Sequence, residues 1–323
     1  MIAINRRILF VFMLSVVVGT LLFSGCGKKE EAKLVIADQF GLAYAPLEIM
    51  KAQGLVEKNL AERGIENVRV EYKKLGNTAT IREAMVAGDL DIGFVAIPPF
   101  LLGKDKGMDW RIISGLSESP VGLVTRDSRL ENVSQLGSEQ RIILPQPGSI
   151  QHILLSMYTE REFGDATYFD KQLLTMTHPD GLVVMSNEKT EYLHFTTPPF
   201  LQKELELESA KLLLDGEECF GGEFTFIVGI CPERVFQDKA VYSSFSEALQ
   251  EAIGFMAANP EESLQLLLQA YEYSEAELRG YLADERMRFT TEVRGAEEFY
   301  NFLKRTGKIE NEFTEADFFW EKQ

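Results

Sequence analysis

Positive charge is scarce in this chain of 323 residues: 33 Lys and Arg stand against 50 Asp and Glu, a formal net charge of −17. A nucleic-acid partner is thereby excluded, because a phosphate backbone demands a basic face. The sign of a small ligand stays open, since a pocket can locally oppose the global charge. Cysteine and histidine are equally sparse, three of each. No Cys-x-x-Cys or Cys/His array occurs, and His152, His178 and His194 are scattered, so neither a structural metal nor a cofactor is expected. Gly-x-Ser-x-Gly, His-Glu-x-x-His and a glycine-rich phosphate loop are missing as well. Ser149 and His152 stand three apart, but no carboxylate is evident to orient the imidazole, and Ser149 is placed to cap a helix. The expectation is a protein that is not an enzyme.

One long apolar run is present, at the N-terminus. Arg6 and Arg7 precede "ILFVFMLSVVVGTLLFSG", which reads as a secretory signal over residues 1–25. The run is nearly long enough to span a bilayer, so an uncleaved anchor helix is the alternative. "LLFSGC" resembles the lipobox of bacterial lipoproteins, with Phe23 where leucine is usual. That resemblance implies that Cys26 is diacylated and becomes the first residue, with 26–32 as a solvated tether. Acyl chains would then hold the body on a membrane, outside the cytoplasm. The remaining cysteines, Cys219 and Cys231, can pair there or stay free and partly buried; spacing in sequence leaves both open.

With 45% hydrophobic and 26% charged residues, the chain as a whole has the composition of a soluble globular protein. From Lys33 onward, short apolar runs alternate with helical patterns. "KLVIAD", "NVRVEYKKL", "DLDIGFVA", "DWRIISGLS", "RIILPQPG", "QLLTMT" and "EYLHFT" read as strands. "PLEIMKAQG" reads as a helix opened by Pro46, and "NTATIREAMVAG" as one with a capping box at Thr80 and Glu83 and a stop at Gly88. Ser149 is an N-cap for "IQHILLSMYTEREF". Four amphipathic helices close the chain. Alternation of this kind predicts an α/β fold with parallel-type sheets. "PVGLVTRDS" and "GEFTFIVGICPE" each suit a strand crossing between lobes. The crossings predict a first lobe over 33–119 and 216–323, a second over 120–215, and a hinge at Pro120 and at Gly216 to Gly222. Pro98-Pro99-Phe100 and Pro198-Pro199-Phe200 then become equivalent strand-to-helix corners, one per lobe, facing a shared crevice.

The stretches "KAQGLVEK", "REAMVAGDLDIGFVAIPP", "LVTRDSRLENVSQL", "LPQPGSIQHILL" and "FTTPPFLQKEL" resemble the substrate-binding proteins of ABC importers, of the nitrate/sulfonate/taurine type. The likeness runs from about residue 34 to the C-terminus. It implies a two-lobed periplasmic-binding-protein clamshell with two crossover strands, working as a monomer that captures a small organic molecule and delivers it to a membrane permease. A lobe pair presenting ligand to a membrane sensor fits the same residues, as, more distantly, does an enzyme on that fold.

Carried onto this chain, five loops make the site. In "QFGLAYAP", Phe40 and Tyr44 can offer ring faces and Gly41 close backbone approach, or both rings pack beneath the loop. In "GNTAT", Asn77 and Thr78 can accept a polar group or simply cap a helix. Ala96 and Ile97 form the third loop. Gly148, Ser149, Gln151 and His152 sit at a helix start suited to an oxyanion. His194, Thr196 and Thr197 form the last, His194 being equally readable as a structural residue. No Lys or Arg occurs in these loops, whereas Phe94, Phe195, Phe200 and Phe220 lie in or beside loops. The expected ligand is therefore uncharged or singly anionic, with an apolar or aromatic body.

Overall fold

The computed structural model describes residues 32–187 and 191–320. The expected signal segment, the expected acylation site Cys26 and residues 27–31 of the expected tether lie outside them, while Ala32, the last tether residue, already belongs to the first strand. The first series runs β1 (Ala32–Asp38), α1 (Ala45–Ala52), α2 (Leu55–Glu62), β2 (Val68–Lys74), α3 (Thr78–Ala87), β3 (Ile92–Ala96), α4 (Ile97–Asp105) and β4 (Trp110–Glu118). The second runs β5 (Gly122–Thr125), β6 (Arg141–Leu144), α5 (Ile150–Phe163), β7 (Leu173–Thr175), α6 (His178–Met185), β8 (Tyr192–Thr196), α7 (Phe200–Leu205) and β9 (Lys211–Asp215). The return is α8 (Gly216–Phe220), β10 (Ile227–Pro232), α9 (Glu233–Gln237), α10 (Lys239–Ala258), α11 (Pro260–Ala270), α12 (Glu275–Leu282), β11 (Arg288–Phe289), α13 (Ala296–Arg305) and α14 (Glu315–Phe318). Among the described residues no helix is long and apolar enough to cross a membrane.

Local chemistry sets these elements. Every residue of β3 is buried, as expected of a strand covered on both faces. Helix α3 begins earlier than its capping-box pattern predicts. The Asn77 side chain accepts the Thr80 N–H at 3.0 Å, so Asn77, not Thr78 or Thr80, is the cap. An asparagine three residues ahead offers its carbonyl sooner, and the Thr80 hydroxyl turns back onto the same oxygen at 3.3 Å. Gly88 ends the helix in a left-handed conformation, as read from the sequence.

Two mixed sheets result. One has the order β11-β4-β10-β3-β1-β2, the other β7-β6-β8-β5-β9. Pairs β1–β3, β6–β7 and β6–β8 are parallel. The expectation of parallel-type sheets fails at the two strands that follow a crossing and at the short edge strand β11, which runs against β4. β10 runs against both β3 and β4, and β5 against both β8 and β9. A strand arriving from the other lobe enters its sheet from the opposite end, so its direction is reversed. The two crossings touch each other: the Gly216 N–H donates to the Val121 carbonyl at 2.7 Å and the Phe226 N–H to the Ser117 carbonyl at 2.9 Å. A Cβ on Gly216 would stand 2.9 Å from that Val121 oxygen, so glycine permits the approach. Cys219 and Cys231 are both free and buried, which settles the pairing left open by the sequence.

Candidate functional site

A cleft with a cavity of about 70 Å³ opens between the two sheets. From the first sheet's side it is lined by Gln39, Phe40, Tyr44, Asn77, Thr78 and Pro99 among others, and from the second's by Gln146, Ser149, Gln151, His178 and Thr197. Phe226 and Ile227, where the chain returns into β10, complete it. The ends of β1, β3, β6, β7 and β8 therefore deliver the lining, and the first turns of α3, α4, α5 and α6 reach it. Helix N-termini carry free N–H groups and the positive end of the dipole, which suits an electron-rich ligand group. No Lys, Arg, Asp or Glu belongs to this lining; the titratable groups are Tyr44 and His178.

Eight residues expected from the sequence stand on the cleft: Phe40, Tyr44, Asn77, Thr78, Ala96, Ser149, Gln151 and Thr197. Phe40 is 51% exposed at its mouth, whereas Tyr44 is buried along the wall. Thr78 accepts from the Gln39 amide at 3.4 Å, and that amide also reaches the Phe94 carbonyl. The other six stand elsewhere. Ile97 is wholly buried in the core at the start of α4. Gly41 lies beside the second lobe instead: a Cβ there would meet the Pro198 carbonyl oxygen at 3.3 Å, and the neighbouring Leu42 N–H donates to that oxygen at 3.4 Å. Gly148 likewise faces Leu102 of α4. These two glycines set the contact between lobes, a role that needs the tertiary structure to be seen. The Pro-Pro-Phe corners are both strand-to-helix turns, but only Pro99 of the first pair is on the cleft, and the second contributes through Thr197 and the Pro198 carbonyl.

His152 departs furthest from its reading. Its Nε2 donates to Asp170 at 3.0 Å, so a carboxylate does orient it, contrary to the expectation from sequence. Its Nδ1 accepts the Gly148 N–H at 2.8 Å. With both ring nitrogens engaged, the imidazole has none left to activate Ser149, whose hydroxyl caps α5 through the His152 N–H at 3.3 Å. Burial holds this histidine below its ordinary pKa despite the Asp170 contact, so it is a neutral brace under the loop. The Ser149 cap gives a direct test. Ser149→Ala should lower unfolding free energy by about 1 kcal/mol in chemical denaturation, with little change in the slope.

The remaining two, His194 and Thr196, are wholly buried behind the wall. They support His178, a cleft residue that the sequence reading passed over. His178 Nδ1 lies 2.9 Å from His194 Nε2 and 3.2 Å from the Thr196 hydroxyl, and its Nε2 lies 3.2 Å from the Gln151 amide nitrogen. "MTHPDG" did hold a signal: Thr177 followed by His178-Pro179 is a capped helix start directly after a strand. The aromatic expectation fails in part. Phe94 packs on Phe245, Phe195 is buried in β8, Phe200 stacks on His178, and Phe220 packs with Phe224 and Phe299. On the cleft itself the aromatics are Phe40, Tyr44 and Phe226. Strand residues alternate in direction, so closeness to a loop in sequence did not fix which face a ring occupies. Among the described residues no group of three or more His, Cys, Asp or Glu is placed to hold a metal ion.

Two sheets, two side-by-side crossings and a cleft lined from both halves define the periplasmic-binding-protein fold. Within that class, solved structures of sulfonate- and nitrate-binding proteins superpose on the chain. The alkanesulfonate-binding protein SsuA of Xanthomonas axonopodis pv. citri, bound to MOPS, matches with a TM-score of 0.74 at 17% identity, covering 90% of this chain and 98% of that one. The periplasmic aliphatic sulphonate-binding protein SsuA of Escherichia coli gives 0.70 at 17% identity over 90% and 97%. The periplasmic nitrate-binding protein NrtA of Synechocystis gives 0.65 at 15% over 89% and 84%. No family model matches the sequence. No curated protein matches it either.

Proposed function

We propose that this chain is the solute-binding component of an ABC importer. It binds a small organic molecule bearing one negative charge, such as a sulfonate, between two lobes and passes it to a membrane permease. The supporting observation is the cleft itself: both halves line it, and backbone from each half meets across it at Leu42 and Pro198. A ligand gripped by both halves favours the form in which they touch, and so drives closure by its differential affinity. Helix ends, hydroxyls and amides, with no ammonium or guanidinium beside them, suit a monoanion better than a multiply charged group. A cavity of about 70 Å³ favours a small body over a large aromatic one. Removal of residues 1–25 and acylation of Cys26 would tether the monomer to the outer face of a membrane, with lobes over 33–119 plus 216–323 and over 120–215. A thermal-shift screen of alkanesulfonates, nitrate and aromatic acids tests this. A true ligand at a hundred times its Kd adds about 2.7 kcal/mol of stability. Deleting the gene should abolish uptake of the same compound, and a screen with no stabilising compound and intact uptake would end the proposal.

Phe40, half exposed at the mouth, gives a smaller effect. Phe40→Ala should leave the melting temperature unchanged within a degree or so and weaken ligand about tenfold, read by calorimetry. Unchanged affinity would mean that the ring only shades the opening.

A further inference from the structure

Behind the cleft wall runs a line of buried titratable groups that ligand capture alone does not require. His178, on α6, is half-buried with one edge on the cleft. Its Nδ1 meets His194 Nε2 at 2.9 Å, and His194 Nδ1 meets Glu204 Oε1 at 2.5 Å. His194 and Glu204 are both 0% exposed. The second Glu204 oxygen, Oε2, is buried without a hydrogen-bond partner. An ionised carboxylate there would have one hydrogen bond and no cation beside it, so the lost hydration of the charge would go uncompensated. A carboxyl whose proton lies on Oε1 gives the His194 ring its partner and leaves at Oε2 a neutral carbonyl oxygen, which is far less costly to bury unpartnered than a charge.

We propose that Glu204, His194 and His178 form a proton relay that makes His178 the charge-selecting residue of the cleft. The inference rests on the binding-protein reading above. In the free protein Glu204 Oε1–H donates to His194 Nδ1, His194 Nε2–H donates to His178 Nδ1, and His178 Nε2–H faces the cleft, with the Gln151 amide turned about its Cγ–Cδ bond so that Oε1 accepts in place of the nitrogen that lies 3.2 Å away. When a monoanion enters, the Glu204 proton passes to His194 Nδ1 and the Nε2 proton of His194 passes to His178 Nδ1. His178 becomes an imidazolium, His194 has exchanged tautomers, and Glu204 is a carboxylate accepting from His194. Three protons are present before and after, the two hydrogen bonds along the line from Glu204 to His178 are kept with their directions reversed, and nothing is exchanged with solvent. The site thus holds a cation only when an anion is there to meet it, a charge that the lining otherwise lacks.

Surrounding charges are committed elsewhere, which leaves the relay as the local proton store. Asp180, on the same helix as His178, is held by the Thr177 hydroxyl at 2.6 Å. Asp170 pairs with His152 on the α5 side. On α7, Lys203 turns toward Glu277 at 3.6 Å, and below α6 Arg126 donates to the Met185 and Glu208 carbonyls. Burial pushes the Glu204 carboxyl up to about 9 and His194 down to about 3, and it holds His178 well below its usual value with help from His194. All three directions agree with a neutral, protonated-acid resting state.

The test uses the full chain at pH 7 with methanesulfonate and its uncharged isostere, dimethyl sulfone. The infrared spectrum of the free protein should carry a protonated-carboxyl band that E204Q lacks. Saturating methanesulfonate should remove that band and turn the His178 ring to imidazolium in ¹⁵N spectra, whereas dimethyl sulfone should do neither. Calorimetry in two buffers of different ionisation enthalpy should give the same binding heat. E204Q, nearly isosteric but without a transferable acid proton, should bind methanesulfonate roughly tenfold or more weakly. An ionised Glu204 in the free protein, a neutral His178 in the methanesulfonate complex, equal affinity for the two probes, or no methanesulfonate binding each overturns the relay. A compound found by the thermal-shift screen, with the carboxyl band absent, removes the relay and leaves the binding-protein reading standing. A band that is present while no compound stabilises the protein and uptake is intact ends the binding-protein reading, and the relay with it.

Discussion

Gly41→Ala should weaken whatever ligand the cleft takes by roughly tenfold to a hundredfold. Gly41 has φ 126° and ψ 167°, a region that essentially only glycine occupies, where a side chain costs about 1–3 kcal/mol. Its surroundings leave the loop little freedom to escape. The Tyr271 hydroxyl donates to the Gly41 carbonyl at 3.2 Å, and an added Cβ would press on the Pro198 carbonyl oxygen from 3.3 Å. That oxygen belongs to the other half and accepts from Leu42. The strain therefore falls on the form in which the halves touch, and the affinity falls with it. Gly88→Ala separates this from ordinary backbone strain. Gly88 also has a positive φ, 80°, at the end of α3, but nothing lies within 4 Å of its missing Cβ. That variant should lose stability by about 1 kcal/mol and keep full affinity. Wild-type affinity in Gly41→Ala would show that this contact plays no part in closure.

Gly41 also illustrates what the sequence could and could not convey. Its φ requirement is local, and a glycine in an aromatic loop after a strand signals close backbone approach. What approaches it is a proline carbonyl some 157 positions later, information held only by the arrangement of the halves. Ser149 was legible in full because a cap is written in a few adjacent residues: a serine directly before an apolar-periodic run. His152 was half legible. Its place at the helix start followed from the cap, but Asp170, eighteen residues on, reaches it only through the packing of the following turn. Glu204 was invisible. In "FLQKEL" it reads as the solvated face of a short helix, and it is buried because α7 packs against α6 and β5, with His194 reaching it from β8. Gly181 marks that spot from the other side: a Cβ there would come within 2.5 Å of the His194 ring. Local patterns thus encode caps and strands well, whereas the pairing of polar groups inside a lobe depends on contacts many residues apart.

Glu204→Gln should change how stability depends on pH more than any surface substitution could. Burial raises the Glu204 carboxyl from 4.5 to about 9. Between those values the unfolded chain releases this proton and the folded protein keeps it, so stability falls as pH rises, by about 1.4 kcal/mol per unit. His178 and His194 act in the opposite sense. Both are lowered by burial, so below the ordinary value of 6.5 the unfolded chain takes up their protons while the folded protein does not, and stability falls as pH drops. From pH 4.5 to 6.5 the unfolded chain binds two histidine protons against one on folded Glu204, so the histidines win; above 6.5 the glutamic acid acts alone. The three groups together place an optimum near pH 6.5. Glutamine cannot ionise, so the variant keeps the histidine-driven loss on the acid side and lacks the decline on the alkaline side. Chemical denaturation at pH 7 and pH 9 should show wild type losing roughly 2 kcal/mol more than the variant over that interval. Asp38, held up at about 7 by burial, titrates alike in both proteins and cancels in the difference. Parallel curves from pH 6.5 to 9 would mean that Glu204 is already ionised in the folded protein, and that the line of groups behind His178 holds no proton to give.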